Sequence, residues 1–320
     1  MSTWSALPID PVMVRALDTA DTPTSRVAIR AELLRLQNLQ AQGSKPSFAG
    51  LRELRKRWSE QFARACATMV ADGLRALPEL RNFEITPDPS GGNQEFFTPL
   101  GYNKGKRIDV VVAAELVGLQ IGVSLKGLNF RDGDGGNFDK NLTGRLYELR
   151  DEVNTVHDYL PRAFMAGLFF VPVAGCFDKV TGASSFAHTV AQLRSRSGRL
   201  DPSLLSQNWK CDYAAVGLYG SGEPEEVRNG VPRGVARYFP IVDDLGRDNS
   251  PPRRQLPLLS STLSLDELVR RLVARALRGT TSGTSFAEFG DESVSLPTVD
   301  GSAAAEVGDD EPQDDAMDTM

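Results

Sequence analysis

Two histidines and three cysteines are all that the 320-residue chain offers for soft-metal or thiol chemistry. His157 and His188 lack ligand-like spacing, and Cys66, Cys176 and Cys211 contain no CxxC pair. Neither a zinc site nor a redox dithiol is therefore expected, and the three thiols are expected to be buried. Long apolar runs are missing too. The longest, AFMAGLFFVPVAG at 163–175, is broken by Pro172 and is too short for a bilayer. The opening MSTWSALPIDPV has no basic stretch followed by an apolar one, so no secretory signal is expected and the cytoplasm is the expected compartment. The glycine clusters SGG (90–92) and DGDGG (132–136) lack the Lys-Ser/Thr ending of a phosphate-binding loop and the further ligands of a calcium loop, so both read as turns.

Basic residues vanish from the last forty positions, which carry eleven acids and no Lys or Arg. The other 280 residues hold 36 basic against 31 acidic groups, net +5, so a mildly basic body is followed by a strongly acidic segment. Such a body tolerates a polyanionic partner without demanding one. Rich in Ser, Thr, Gly and acid, residues 281–320 are expected to form a disordered acidic tail.

Residues 1–46 read as an N-terminal arm: a Pro- and Thr-punctuated start, loosely held, then a helix capped by Thr24 or Ser25 and ending near Gly43. From Ser47 a long helix is signalled by Leu51, Leu54, Trp58, Phe62, Cys66, Met69, Leu74 and Leu77, with Pro78 as its stop. Short β-type runs follow, then a helix with apolar positions Leu142, Leu146, Leu149, Val153, Val156 and Leu160. AFMAGLFFV and YAAVGLY read as buried strands, with a helix (SSFAHTVAQLRSR) between them. The order predicts an α/β or α+β domain over 47–240, a mixed sheet flanked by helices, of which α/β is the expected class. Residues 221–260 read as irregular connection. Within 241–280, a linker is followed by a helix whose capping box is Ser264 and Glu267.

The stretch RIDVVVAAELVGLQIGVSLKG (107–127) predicts a hairpin of two apolar strands that nevertheless carries Asp109, Ser124 and Lys126. Strand alternation puts Ile108, Val110, Val112 and Ala114 on one face and Arg107, Asp109, Val111 and Ala113 on the other. In the second strand Ile121, Val123 and Leu125 oppose Gln120, Gly122, Ser124 and Lys126. With Glu115–Gly118 as the connection, Ala114 faces Leu119 and Asp109 faces Ser124, so acid, hydroxyl and amine converge. By itself that convergence fits an exposed ion pair or a site that holds a hard metal ion and offsets phosphoryl charge.

An Asp on one strand, a short hairpin and x-x-Lys on the next, with a helix before and a helix and strand after, resembles the PD-(D/E)XK nuclease superfamily. The likeness covers about residues 50–175, and its specific part is Asp109 and SLK. It implies a restriction-endonuclease-like fold, with Asp109 as a metal ligand, the Leu125 carbonyl as another, and Lys126 acting on the attacking water or transition state. Ser124 stands where the family has its second acid. A Ser-x-Lys branch of restriction enzymes takes that acid from the start of the following helix, which implicates Asp139, thirteen residues after Lys126. Glu148, in a stripe with Arg145 and Glu152, is the second candidate; Glu53 and Glu60 on the early helix are lesser ones.

The resemblance implies a Mg²⁺-dependent endonuclease on double-stranded DNA in a restriction or anti-phage setting, as a homodimer or with a defence partner. Lys104, Lys106 and Arg107 are expected to contact phosphates. The alternative is a nuclease-like subunit that binds DNA or assembles without cleaving, its acid at 124 truly lost.

Overall fold

In the computed structural model, which describes residues 3–89, 96–97, 106–114, 118–132, 136–199, 204–242 and 249–279, the chain is already ordered at Trp4. The indole Nε1 of Trp4 donates to the Pro257 carbonyl at 2.9 Å. Asp10 then caps helix α1 (Pro11–Ala20), its side chain accepting from the Val12 and Met13 amides, with Pro11 at the first helical position. Met13, Ala16, Leu17 and Ala20 recur at helical spacing and are all buried, packed with helix α3 (Ala49–Arg75). The expected loose arm is therefore replaced by a core helix. Burying Met13 and Leu17 contributes about 1.5–3 kcal/mol each. Helix α2 (Pro23–Ala41) is capped by Thr22 rather than Thr24 or Ser25, because a threonine directly before Pro23 can accept the Ser25 amide. Helix α3 buries Leu51, Trp58, Phe62, Cys66, Met69 and Leu74, and Pro78 opens a 3-10 turn beyond it.

Among the described residues eight strands follow: β1 (Glu84–Thr86), β2 (Phe96–Phe97), β3 (Lys106–Arg107), β4 (Val110–Ala114), β5 (Gly118–Gly127), β6 (Phe164–Pro172), β7 (Tyr213–Tyr219) and β8 (Ala236–Pro240). Six form one mixed sheet in the order β1-β4-β5-β6-β7-β8, while β2 and β3 pair separately. The β5–β6 and β6–β7 pairs are parallel and the others antiparallel. Helix α4 (Leu142–Tyr159) carries the crossover from β5 to β6, and α5 (Ser185–Arg194) lies in the one from β6 to β7. The short helix α6 (Pro224–Arg228) and β8 occupy part of 221–260, where irregular chain was expected. Helix α7 (Leu265–Gly279) starts with the expected reciprocal bonds between Ser264 and Glu267.

The sheet separates two cores. One lies between it and α1, α3 and α7, the other between it and α4 and α5. Leu268, Val269, Leu272, Val273 and Ala276 of α7 belong to the first core, so α7 packs with α3 on the same side of the sheet. Among the described residues no helix is long and apolar enough to cross a membrane. The acidic segment expected to be disordered lies outside the described residues.

The hairpin departs from its expected register near the turn and rejoins it further on. Ala114 pairs with Gly118 and Ala113 with Leu119, whereas Val112 pairs with Ile121 and Val110 with Val123. Gln120 is the extra residue of a bulge. Gly118 pairs with Ala114 as the first residue of β5, and its φ of +74° is a left-handed conformation that glycine adopts readily where the chain leaves the turn. Past the bulge the pairing continues in the line that sets Asp109 against Ser124. Val110, Val112, Ile121, Val123 and Leu125 face α3, as alternation predicts. Ile108 does not follow them. It packs with Val111 in the α4-side core, because the chain bends at Asp109 before β4 begins.

Candidate active site

Three side chains and one bend residue meet where β5 passes beneath α4. Ser124 and Lys126 lie two apart on the α4 face of β5, both buried. Gly167 of β6 is beside Ser124 in the parallel register, and a Cβ there would come within 2.9 Å of Leu149 Cδ2 on α4. The missing side chain lets α4 settle close to the sheet. That approach brings Glu152 down onto the strand: its Oε2 accepts the Ser124 hydroxyl at 2.5 Å, and its two oxygens take Lys126 Nζ at 2.7 and 3.0 Å. The Lys126 and Glu152 side chains are only 7% and 18% exposed, so little water screens the pair.

Asp109 enters from the side. Its Oδ2 accepts the Leu125 amide at 2.7 Å, capping β5 where β4 has bent away. Even-numbered neighbours bond toward β6, as the Leu128 amide does to the Phe170 carbonyl, so both main-chain groups of Leu125 point to the Asp109 edge. Burial pushes the Asp109 carboxyl above the usual range. The Lys126 charge and the Leu125 amide pull it back, Glu152 pushes it up again, and Arg107 lowers it a little. Lys126 is thus paired with Glu152, and its charge also favours the ionised form of Asp109.

The expected carboxylate donors are elsewhere. Asp139 sits in the 3-10 turn Phe138–Asn141, before α4. Its Oδ2 accepts from Lys179 at 2.5 Å and contacts His188 Nδ1 at 2.6 Å. Burial raises its pKa, but the bonds from Lys179 and His188 outweigh that and leave it lowered. Thirteen helical residues separate it from Glu152, roughly 20 Å along the axis. Glu148 is exposed and bonded to Arg145 at 2.8 Å. Glu53 and Glu60 are exposed on α3, which packs on the opposite face of the sheet. Arg107 is exposed at the mouth of the site, Lys106 contributes its backbone to β3, and Lys104 lies outside the described residues.

Glu152 is the residue that sequence reasoning passed over, although it stood in the stripe with Arg145 and Glu148. The signal was helical phase. At 100° per residue, Glu152 lies about 80° from the centre of the seam formed by Leu142, Leu146, Leu149, Val153 and Val156, and Glu148 about 120°. The acid nearer the seam is the one that reaches the sheet.

Among the described residues no three His, Cys, Asp or Glu side chains are grouped to hold a metal. The oxygens gathered here are the Asp109 and Glu152 carboxylates, the Ser124 hydroxyl and the Leu125 carbonyl. That all-oxygen set fits a hard divalent cation such as Mg²⁺, which binds through one or two carboxylates and keeps several waters.

Other buried acids serve the fold. The Glu226 carboxylate, fully buried, accepts from the amides of Ala174, Ser221, Gly222 and Glu223 and from the Ser221 hydroxyl. It ties the ends of β6 and β7 together. Asp212 is held by Arg199 at 2.9 Å and the Met165 amide at 2.7 Å, with buried His157 at 3.3 Å. Cys66, Cys176 and Cys211 are free and buried, and burial raises all three thiols, Cys211 to about 12. No protein-family model, curated protein or solved structure matches the chain.

Proposed function

We propose that the chain is a metal-dependent endonuclease that hydrolyses phosphodiester bonds of double-stranded DNA. The observation that carries this reading is the Glu152 carboxylate, seated against Ser124 and Lys126 on the face that Asp109 enters. It supplies from α4 the acid that β5 lacks at position 124. The helix–strand–strand–strand–helix–strand order of α3, β1, β4, β5, α4 and β6 supports the same reading.

Asp109 and Glu152, with the Leu125 carbonyl, would hold Mg²⁺, which supplies Lewis-acid stabilisation of a phosphate under attack and a more acidic water. Ser124 orients Glu152 through its hydroxyl. Lys126, held at the same carboxylate, offsets negative charge that develops on the phosphoryl oxygens. Arg107, exposed beside Asp109, attracts the substrate backbone.

A second reading has its own observation: Lys126 and Ser124 already occupy both oxygens of Glu152, and among the described residues no third acid joins the group. That is the arrangement of a nuclease-like subunit which binds DNA without cutting it. Incubating plasmid DNA with the protein and Mg²⁺ separates the two. Cleavage is expected to vanish with EDTA and with Asp109→Ala, Lys126→Ala or Glu152→Ala. Moving the acid back to the strand, in Ser124→Glu with Glu152→Ala, is expected to restore part of it. Cleavage that survives chelation or Asp109→Ala sinks the nuclease mechanism, and a wild-type protein that binds but never cuts establishes the second reading.

A further inference from the structure

The proposed chemistry leaves unused two arginines on the α3 side of the molecule, Arg15 and Arg64. A cavity of about 500 Å³ opens between α1 and α3, with Ala16, Ala65 and Met69 on its floor and Arg15, Arg64 and Arg107 among its walls. All three arginines are exposed. Among the described residues no carboxylate is bonded to Arg15 or Arg64, and the one acid on the lining, Asp72, is taken by Arg75 at 2.6 Å. Positive charge therefore collects here from α1 and α3 without local neutralisation, and Arg107 of β3 stands beside it. The planar fork of a guanidinium suits phosphate oxygens, and the apolar floor suits the sugar edge of a backbone. Arg107 joins this groove to the candidate site, since it lines the cavity and stands two residues before Asp109 in the chain.

We infer that the groove between α1 and α3 is a docking track for the phosphodiester backbone of double-stranded DNA, gripped by Arg15 and Arg64 on the flank of the phosphate presented to Asp109. This rests on the nuclease reading and extends it to residues that the resemblance did not reach. It also gives α1 a purpose beyond packing: one face closes the core and the other carries Arg15 and Thr19 to the groove.

Binding measured without cleavage tests the inference. Fluorescence anisotropy of a labelled 20-base-pair duplex is titrated in EDTA, with salt varied. Arg15→Glu with Arg64→Glu is expected to weaken binding by about ten-fold or more. The slope of log K against log salt should become shallower by about 2, close to 0.9 for each phosphate no longer neutralised. Arg30→Glu with Arg162→Glu makes the same charge change at exposed positions away from the groove and is expected to leave the slope unchanged. Arg15→Gln with Arg64→Gln repeats the test should the reversed charges disturb folding, which melting curves will reveal. Equal weakening in the groove and control pairs overturns the inference, as does equal competition by single-stranded RNA of the same length. A wild-type protein that needs Arg15 and Arg64 to bind but never cleaves with Mg²⁺ refutes the nuclease and keeps the groove. One that cleaves while the groove variants bind normally refutes the groove and keeps the nuclease.

Discussion

Replacing Glu152 by glutamine changes one oxygen to an amide and removes one charge, yet two separate effects are expected. Lys126 is 7% exposed and donates to both Glu152 oxygens, so the variant leaves a buried ammonium with Asp109 as its nearby counter-charge. Removing one partner of a buried pair costs about 3–5 kcal/mol. Asp109 remains and Glu152 is partly open to water, which places this case near the low end, about 3 kcal/mol. For a domain of this size that lowers the melting temperature by roughly 6–12 °C. Adding Lys126→Met removes the stranded charge, so the double variant is expected to regain most of the stability, a coupling that a thermal-melt double-mutant cycle measures directly. Cleavage should behave differently: it falls in Glu152→Gln by about three decades, which is about 4 kcal/mol of transition-state stabilisation, and is not regained in the double variant. If Glu152→Gln melts within a degree or two of wild type, the ion pair is not what closes this site. If it cleaves normally, Glu152 is not the displaced acid.

Gly167→Val forces a branched side chain against Leu149 and is expected to destabilise by about 1–3 kcal/mol in urea unfolding, with α4 pushed off the sheet; Gly144→Ala, with open space at its Cβ, should do no such harm. Glu226→Ala strands four amides that now share one carboxylate, and a drop of about 3 kcal/mol or more is expected; a change below about 1 kcal/mol would falsify the view that this carboxylate ties β6 to β7. Asp139 has its pKa lowered by Lys179 and His188, so its contribution to stability is complete above the unfolded value near about 3.9 and disappears as pH falls through the folded one. Asp139→Asn should therefore flatten the stability curve below about pH 4.

Where one periodicity dominates, the sequence is readable: α4 buries Leu142, Leu146, Leu149, Val153 and Val156, and β6 and β7 are the apolar runs expected. Alternation brings Ser124 and Lys126 to one face and Asp109 to their side, although the bend at Asp109 breaks the rule for Ile108 and the Gln120 bulge shifts the turn. Helix α1 escapes because its end signals, Asp10-Pro11 and Thr22-Pro23, suit a loose, punctuated chain equally well. Strand β8 escapes because ARYFP is short, carries an arginine and ends in proline, and its burial comes from distant parts of the chain: β7, Phe186 of α5 and the bridge to Leu263. The source of the second acid depends on how deeply α4 sinks onto Gly167, a distance that spacing along the chain does not encode.

The placement of α1 and α7 on the same side of the sheet has a practical consequence for anyone cutting this chain. A fragment of residues 47–240 would strip both α1 and α7 from α3 at once, and would also lose the Trp4–Pro257 clasp between distant parts of the sequence. The described elements from Trp4 to Gly279 should therefore melt in one step, whereas the 47–240 fragment should melt lower or not fold.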